Sequence, residues 1–280
     1  MYTTLLTNNE HGIFTITINR PEKLNALNGQ VIAELEAVMH EVYTNPAIKS
    51  VLLTGAGEKS FVAGADISEF IGAGSAGGKT LARRGQDLFF KIENCPKVVI
   101  ACVNGFALGG GCELAMACHF RIASDNAKMG LPEVSLGVIP GYGGTQRLPQ
   151  LVGKGKAMEM IMTAGMISAQ EAKACALVNE VTTQEELLPT TQKIANKILS
   201  KEEYEIFDKK SNKEEFLASR FAAKEAIVKA TNKKYLFNDI IITNDENGAP
   251  TTNISGVKIT ISHEKENAIA FAIWEDDEQQ

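Results

Sequence analysis

The chain has 280 residues, of which 44% are hydrophobic and 22% charged, a balance typical of a folded protein with a substantial buried core. Its net charge of −6 argues against a general nucleic-acid binder, because phosphate backbones attract a positive surface. The five cysteines include no C-x-x-C pair, which favours free thiols in a reducing compartment over a disulfide framework.

The sequence shows neither an export signal nor a membrane span. Its N-terminus lacks a basic segment leading into an apolar run, and no apolar stretch approaches the roughly 20 residues that cross a bilayer. The four histidines are scattered without H-x-x-x-H spacing, which argues against a histidine-based zinc site. We therefore expect a cytoplasmic protein that binds neither membrane nor nucleic acid.

The first predicted elements alternate between strands and helices. Strict alternation of apolar and polar residues predicts a half-buried strand at 12–19, and helical periodicity follows at 29–43. Short apolar runs predict buried strands at 51–54 and 98–103, the second of the parallel type. A Gly/Ser/Ala-rich loop is expected at 72–78, before an amphipathic helix. This alternation predicts an α/β fold of ββα units.

A glycine-rich turn follows the buried strand at 98–103. Gly109, Gly110 and Gly111 allow backbone N–H groups to approach a ligand, and they precede a helical run at 112–119 whose positive dipole end favours negative charge. Glu113 lies in the first turn, as a candidate acid or base. The same pattern also fits a close-packed turn with a glutamate favoured by the helix dipole.

Two other loops carry small residues or an isolated carboxylate. The segment at 61–67 reads F-V-A-G-A-D-I, and the segment at 130–147 is rich in Pro and Gly around Glu133. Apolar surroundings would raise the pKa of Glu133, as a general acid requires. Each loop alone also fits an ordinary structural role. The first would be a tight turn, and the second a loop whose glutamate is exposed to solvent.

Together, the three segments suggest one reaction class. Two backbone N–H donors can hold a thioester oxygen as it becomes enolate-like, and such preorganised donors contribute about 10²–10³ in rate each. Two carboxylates can position one water and move its protons across a C=C bond. The glycines match neither G-x-G-x-x-G nor a Walker loop, which disfavours nucleotide phosphate binding by those motifs.

The same segments resemble the crotonase (enoyl-CoA hydratase/isomerase) superfamily. The resemblance rests on I-N-R-P-E-K-L-N-A-L, F-V-A-G-A-D-I, N-G-F-A-L-G-G-G-C-E-L-A and L-P-E-V-S-L-G-V-I-P-G-Y-G-G-T-Q-R-L, in family order over about residues 1–195. It implies a spiral of ββα turns and an enoyl-CoA hydratase that interconverts 2-enoyl-CoA and 3-hydroxyacyl-CoA. No cofactor is implied, because CoA is part of the substrate.

The resemblance also implies roles for individual residues. Glu113 and Glu133 would be the catalytic pair, and the N–H groups of Ala65 and Gly110 would form the oxyanion hole. The substrate-binding residues would be Ala65, Asp66, Ile67, Ser68, Gly110 and Gly141. The presence of both glutamates favours hydration or dehydration over double-bond isomerisation alone. A homo-oligomer, trimer or hexamer, is expected by the same resemblance.

The character of the sequence changes near residue 198. Dense charges are followed by an amphipathic helix at 214–231 and strand-like runs at 240–243, 257–262 and 268–274. We therefore expect two domains, a crotonase-like domain at 1–197 and a smaller α+β domain at 198–280. The several helices with which the first family usually continues are not recognisable here.

The C-terminal segment resembles holo-acyl-carrier-protein synthase, a magnesium-dependent phosphopantetheinyl transferase. F-L-A-S-R-F-A-A-K-E-A-I-V-K-A, N-G-A-P and I-T-I-S-H-E carry that resemblance. It implies Glu225 as a magnesium ligand, Lys224 and Lys229 as contacts for CoA phosphates, His263 near the site and acyl carrier protein as a partner. The aspartate-bearing G-x-D strand that begins that family is not found.

The sequence therefore leaves three hypotheses for the function. The first is an enoyl-CoA hydratase built on Glu113 and Glu133. The second is a magnesium-dependent transferase in the C-terminal segment, although Glu225 and Lys229 also fit an ordinary i,i+4 ion pair. The third is a non-catalytic CoA-binding fusion with loose packing.

Overall fold

The computed structural model describes residues 2–66, 74–195, 213–231, 235, 239–245, 248–264 and 267–274. The chain forms two compact units, Met1–Ala195 and Asn196–Gln280. Among the described residues, no helix is long and apolar enough to cross a bilayer.

The first unit contains strands and helices in regular alternation. Its strands are β1 (Leu5–Glu10), β2 (Ile13–Ile18), β3 (Ser50–Gly55), β4 (Ser60–Ala63), β5 (Val98–Val103), β6 (Phe106–Leu108), β7 (Phe120–Ser124), β8 (Lys128–Gly130), β9 (Met166–Ser168) and β10 (Glu180–Thr182). Its helices are α1 (Gly29–Thr44), α2 (Gly74–Glu93), α3 (Gly110–Ala117), α4 (Gly144–Val152), α5 (Lys154–Thr163), α6 (Ala169–Ala174) and α7 (Leu187–Ala195). Short 3-10 helices lie at Pro21–Lys23 and Pro132–Leu136.

From β3 onward, successive strand pairs are divided between two sheets, whereas β1 and β2 both belong to the larger one. The larger sheet has the order β1-β2-β3-β5-β7-β10, and the smaller sheet has the order β4-β6-β8-β9. From β2 to β10 the neighbours in the larger sheet are parallel, and so are β4, β6 and β8 in the smaller one. From β3 to β8, each pair of successive strands therefore gives one strand to each sheet, and this arrangement confirms the predicted α/β spiral.

The core follows from the apolar patterns of these elements. Strands β3 and β5 are buried at every position, as expected for parallel strands covered on both faces. Helix α1 packs Val31, Leu35, Val38 and Val42 into the same cluster at i, i+4, i+7 and i+11 spacing. The Asn28 side chain caps that helix by accepting from the N–H of Val31 at 2.9 Å.

The predicted loop at 72–78 is partly wrong, because α2 already begins at Gly74. Glycine disfavours helix formation by about 1 kcal/mol per residue relative to alanine, so the local sequence alone predicts a loop there. Helix α2 is nevertheless continuous through Gly85, where a Cβ atom would come within 2.4 Å of the Tyr142 ring. Gly85 therefore fits a position where α2 packs closely on the ring of Tyr142.

The second unit combines one described helix with two hairpins. Its elements are α8 (Lys213–Thr231), β11 (Ile242–Asn244), β12 (Pro250–Thr252), β13 (Val257–Glu264) and β14 (Asn267–Trp274). β11 pairs with β12 and β13 with β14, both antiparallel. Ala223, Ile227, Ile240 and Ile242 form a small buried core. The predicted helix and strand-like runs match these elements to within two residues, and Gly248 has the positive φ (83°) expected of a turn.

Candidate active site

The glycine turn joins β6 to α3 at the end of the smaller sheet. Gly109 adopts φ +51°, and its N–H donates to the Gly130 carbonyl at 2.9 Å. A Cβ atom on Gly111 would lie only 1.9 Å from the carbonyl oxygen of Val62, so α3 lies directly against β4. Gly110 is the first residue of α3, where the N–H has no partner within the helix and can meet an anion.

Ala65 follows β4, the strand next to β6. The N–H of Leu27 donates to the Gly64 carbonyl at 2.9 Å, and the N–H of Asp66 donates to the Leu27 carbonyl at 2.7 Å. This parallel bridge leaves the N–H of Ala65 directed away from Leu27. The Gly64 Cα lies 3.8 Å from the position of a Cβ on Gly109, so the Ala65 and Gly110 turns are neighbours.

Glu113 is almost completely buried in the first turns of α3, with 1% of its surface exposed. Its Oε1 accepts from the N–H of Tyr142 at 2.8 Å and from the N–H of Gly144 at 2.7 Å. Burial raises the pKa of Glu113 to about 7, against the lowering effect of the Gly144 and Tyr142 N–H groups, and the nearby Glu133 carboxylate raises it further. Glu113 can therefore exchange a proton near neutral pH.

Glu133 lies on the 3-10 helix Pro132–Leu136, next to the glycine turn. Its Oε1 is 2.9 Å from the position of a Cβ on Gly109, so only glycine leaves room for this carboxyl. Burial raises the pKa of Glu133 as well. Its buried Oε2 accepts no hydrogen bond from the described residues, which leaves that oxygen available to a reacting group.

The predicted substrate-binding residues surround this pair only in part. Asp66 directs its carboxylate to Arg20 at 3.1 Å, so it is held in the protein by an ion pair. Gly141 lies next to Tyr142, and a Cβ there would meet nothing within 4 Å in the part of the chain that the structure describes. Ile67 and Ser68 lie outside the described residues. The site thus brings together the turns of Ala65 and Gly110 and the two glutamates.

Sequence reasoning missed the backbone donors to Glu113 and the ring beside them. Tyr142 is 8% exposed, packs edge-on against Phe89 with ring centroids 5.3 Å apart, and lies 3.1 Å from the position of a Cβ on Gly110. The glycines of the motif G-Y-G-G indicate a loop at this position. Nothing in the motif predicts the direction of the loop's N–H groups.

The candidate residues of the second unit lie on α8 and β13. Lys224 is fully buried, and Lys229 donates to the Glu225 carboxylate at 2.6 Å on the exposed side of the helix. His263 belongs to β13, and its side chain is outside the described part of the chain. No group of three or more His, Cys, Asp or Glu side chains suited to a metal occurs among the described residues. The arrangement of Glu225 and Lys229 is the i,i+4 ion pair that the sequence also allowed.

Comparisons with known proteins identify the family of this chain. The sequence profile of the family "Enoyl-CoA hydratase/isomerase" matches residues 8–244. Crotonyl-CoA hydratase of Syntrophomonas wolfei is 50% identical over 200 residues, which cover 71% of this chain and 77% of that protein. Short-chain-enoyl-CoA hydratase of Clostridium acetobutylicum is 52% identical over 191 residues, covering 68% and 73%.

Solved structures give the same result. Enoyl-CoA hydratase from Bacillus anthracis superposes with a TM-score of 0.68 at 40% identity, over 70% of this chain and 76% of that chain. An enoyl-CoA hydratase subunit from Geobacillus kaustophilus gives a TM-score of 0.68 at 34% identity, over 83% and 84%. The ββα spiral and these matches define a protein of the crotonase type. The chain belongs to the enoyl-CoA hydratase/isomerase family.

The family match also bears on the C-terminal segment. It extends from the first unit through α8 and β11, to residue 244. None of the matches described above is to a phosphopantetheinyl transferase. The resemblance of residues 198–280 to that second family therefore stays a prediction from the sequence.

Proposed function

We propose that this protein is an enoyl-CoA hydratase, a lyase that reversibly adds water to the C2=C3 bond of a 2-enoyl-CoA thioester. The observation that carries the proposal is the pairing of two carboxyls of raised pKa, the buried Glu113 and the half-buried Glu133, beside the glycine turn that begins α3. Membership of the family supports the same chemistry. Both relatives described above carry hydratase names.

The thioester oxygen is proposed to bind between the N–H groups of Ala65 and Gly110. These groups stabilise the charge that reaches this oxygen when the C2=C3 bond is attacked and an enolate forms. The donors are parts of fixed backbone turns, so they need no reorganisation during the reaction. The N-terminal dipole of α3 adds to the stabilisation, because Gly110 is its first residue.

The proton movements follow from the pair of carboxyls. In hydration the Glu113 carboxylate takes a proton from water, the water oxygen bonds to C3, and the Glu133 carboxylic acid gives its proton to C2. The two groups end with exchanged protonation states, and exchange with solvent resets them. Dehydration runs the same steps backwards. The reaction needs one proton on the two carboxyls together. Repulsion between two carboxylates favours this singly protonated state of Glu113 and Glu133.

The CoA part of the substrate is assigned by resemblance to the segment from Ala65 to Ser68 and to Gly141. The chemistry uses only side chains and backbone groups of the chain. We therefore expect turnover without an added metal or cofactor. A homo-oligomer and a cytoplasmic location stay predictions from the sequence.

The test is the loss of ultraviolet absorbance of a short enoyl-CoA, with and without EDTA. Glu113→Gln and Glu133→Gln should each lower kcat by about 10²–10⁴, the usual contribution of a positioned acid or base. Glu159→Gln is the matched control, because Glu159 is an exposed partner of Lys156 on α5. A cooperatively folded wild-type protein without turnover would overturn the proposal.

The second hypothesis, phosphopantetheinyl transfer to acyl carrier protein, rests on sequence resemblance alone. It predicts magnesium-dependent transfer from CoA that Glu225→Gln abolishes. The third, a non-catalytic fusion, predicts secondary structure without a cooperative unfolding transition. The two-domain assignment at 197/198 would be shared by all three.

A further inference from the structure

The N–H of Tyr142 that donates to Glu113 belongs to the peptide unit whose carbonyl is that of Gly141. In a trans peptide the N–H and C=O lie in one plane and point in opposite directions, so fixing the carbonyl fixes the N–H. The Gly141 carbonyl accepts a hydrogen bond from the Gln86 side chain, Nε2 to O, at 2.8 Å. Gln86 is half-buried on α2, 55 residues away in sequence.

The second donor to Glu113 is held in another way. The N–H of Gly144 shares its peptide unit with the Gly143 carbonyl. That carbonyl accepts from the backbone N–H groups of Gln146 and Arg147, each at 3.0 Å, within the first turn of α4. This peptide unit is therefore fixed by the helix itself.

The two sides of the Gly141–Tyr142 peptide are held differently. The Tyr142 ring is packed against Phe89, whereas a Cβ on Gly141 would meet nothing within 4 Å among the described residues. The bond from Gln86 therefore fixes the carbonyl side of this peptide, opposite the N–H that donates to Glu113. Rotation of this peptide would turn the N–H of Tyr142 away from the Glu113 carboxylate.

We propose that Gln86 is a positioning residue for the hydration, acting through the Gly141–Tyr142 peptide to aim the N–H of Tyr142 at Oε1 of Glu113. The inference rests on the proposed function for its catalytic consequence. Its structural part does not, because the direction of that N–H also sets how strongly Glu113 holds its proton. Loss of the donor raises the pKa of Glu113 further, since a hydrogen bond to the charged form is removed.

The test compares wild type, Gln86→Met and Asp87→Asn. Methionine keeps the unbranched shape of glutamine but has no donor. Asp87 is the next residue on α2, half-exposed and paired with Arg83, and serves as the control. Gln86→Met should lower kcat about 10-fold to 100-fold, the scale expected for a misplaced catalytic group, with little change in KM. The alkaline limb of kcat/KM should move to higher pH.

A second measurement separates positioning from folding and from the proposed function. The Glu113 carboxyl ¹³C signal, assigned by its loss in Glu113→Gln, is titrated by NMR in wild type and Gln86→Met. A higher pKa of Glu113 in the variant supports the inference even if the wild type turns over no enoyl-CoA. Absence of turnover in the wild type would contradict only the proposed function. A folded Gln86→Met protein with an unchanged pKa of Glu113 overturns the inference, whatever its melting temperature.

Discussion

At the scale of single residues, the proposed site rests on two carboxyls, Glu113 and Glu133, that do not both ionise easily. Burial raises the pKa of both, that of Glu113 to about 7. The singly protonated pair is the form that the proposed reaction uses in either direction. Its protons leave in two steps that belong to the pair, and kcat/KM reports both steps in the free enzyme.

We therefore predict a bell-shaped profile of kcat/KM against pH. Activity should rise with pH through the lower pKa, which burial raises from the usual value of a glutamate, and fall as the shared proton is lost near pH 7. The measurement is the initial rate with a short enoyl-CoA at limiting concentration between pH 4 and pH 10. Glu159→Gln should leave both limbs in place. A rate that stays constant from pH 5 to pH 9 would contradict the assignment of Glu113 and Glu133 as the proton-transfer pair.

The sequence predicted the two glutamates of the proposed site, but not the groups that hold their side chains in position. Glu113 and Glu133 stand in motifs, and their chemistry can be read from side-chain type. The donors of Tyr142 and Gly144 are backbone groups that every residue carries, so no residue type reveals them. Gln86 lies outside every motif, and only the packing of α2 against the 141–144 loop brings it to the site.

At the scale of elements, the position of α3 on β4 depends on Gly111. A side chain there would overlap the Val62 carbonyl, which belongs to the backbone and cannot move without shifting β4. The same contact holds the Gly110 turn next to Ala65. The geometry of the proposed oxyanion hole and the stability of the fold therefore depend on the same close approach of α3 to β4.

Gly111→Ala should accordingly destabilise the protein by about 1–3 kcal/mol, the usual cost of overpacking, and lower kcat by moving Gly110. Gly155→Ala is the matched control, because Gly155 lies in α5 and a Cβ there meets nothing within 4 Å. That change should stabilise the helix by about 0.5–1 kcal/mol and leave kcat unchanged. Urea unfolding and the enoyl-CoA assay measure both effects. Equal stability of the two variants would refute the close approach.

Element prediction succeeded where the apolar pattern was strong. The buried run at 98–103 matches β5, and 29–43 matches α1 to within one residue. It did not find β4, β6, β8 or β9, which have only three or four residues and form the smaller sheet. Such short strands are defined by their neighbours, and their sequences Ser60–Ala63 and Phe106–Leu108 carry no distinct period.

At the scale of the whole molecule, the chain contains two compact units with separate cores. The proposed hydratase residues all lie in the first unit, and the residues implied for transfer lie in the second. Trp274 is the single tryptophan of the chain and belongs to β14 of the second unit. Its fluorescence therefore reports on the second unit, whereas far-UV circular dichroism is dominated by the larger first unit.

This separation allows a ligand to reveal which unit binds CoA. A ligand that binds only the folded form stabilises it by about 2.7 kcal/mol at 100 times its Kd, or by several degrees in Tm for a domain of this size. We expect a saturating CoA thioester to raise the transition seen by circular dichroism and to leave the Trp274 transition in place, with or without magnesium. A magnesium-dependent rise of the Trp274 transition alone would instead place CoA binding in the second unit and favour the transferase hypothesis. Coincident transitions by both probes would show that the two units unfold as one cooperative body. In that case the two separate cores would not have separate stabilities.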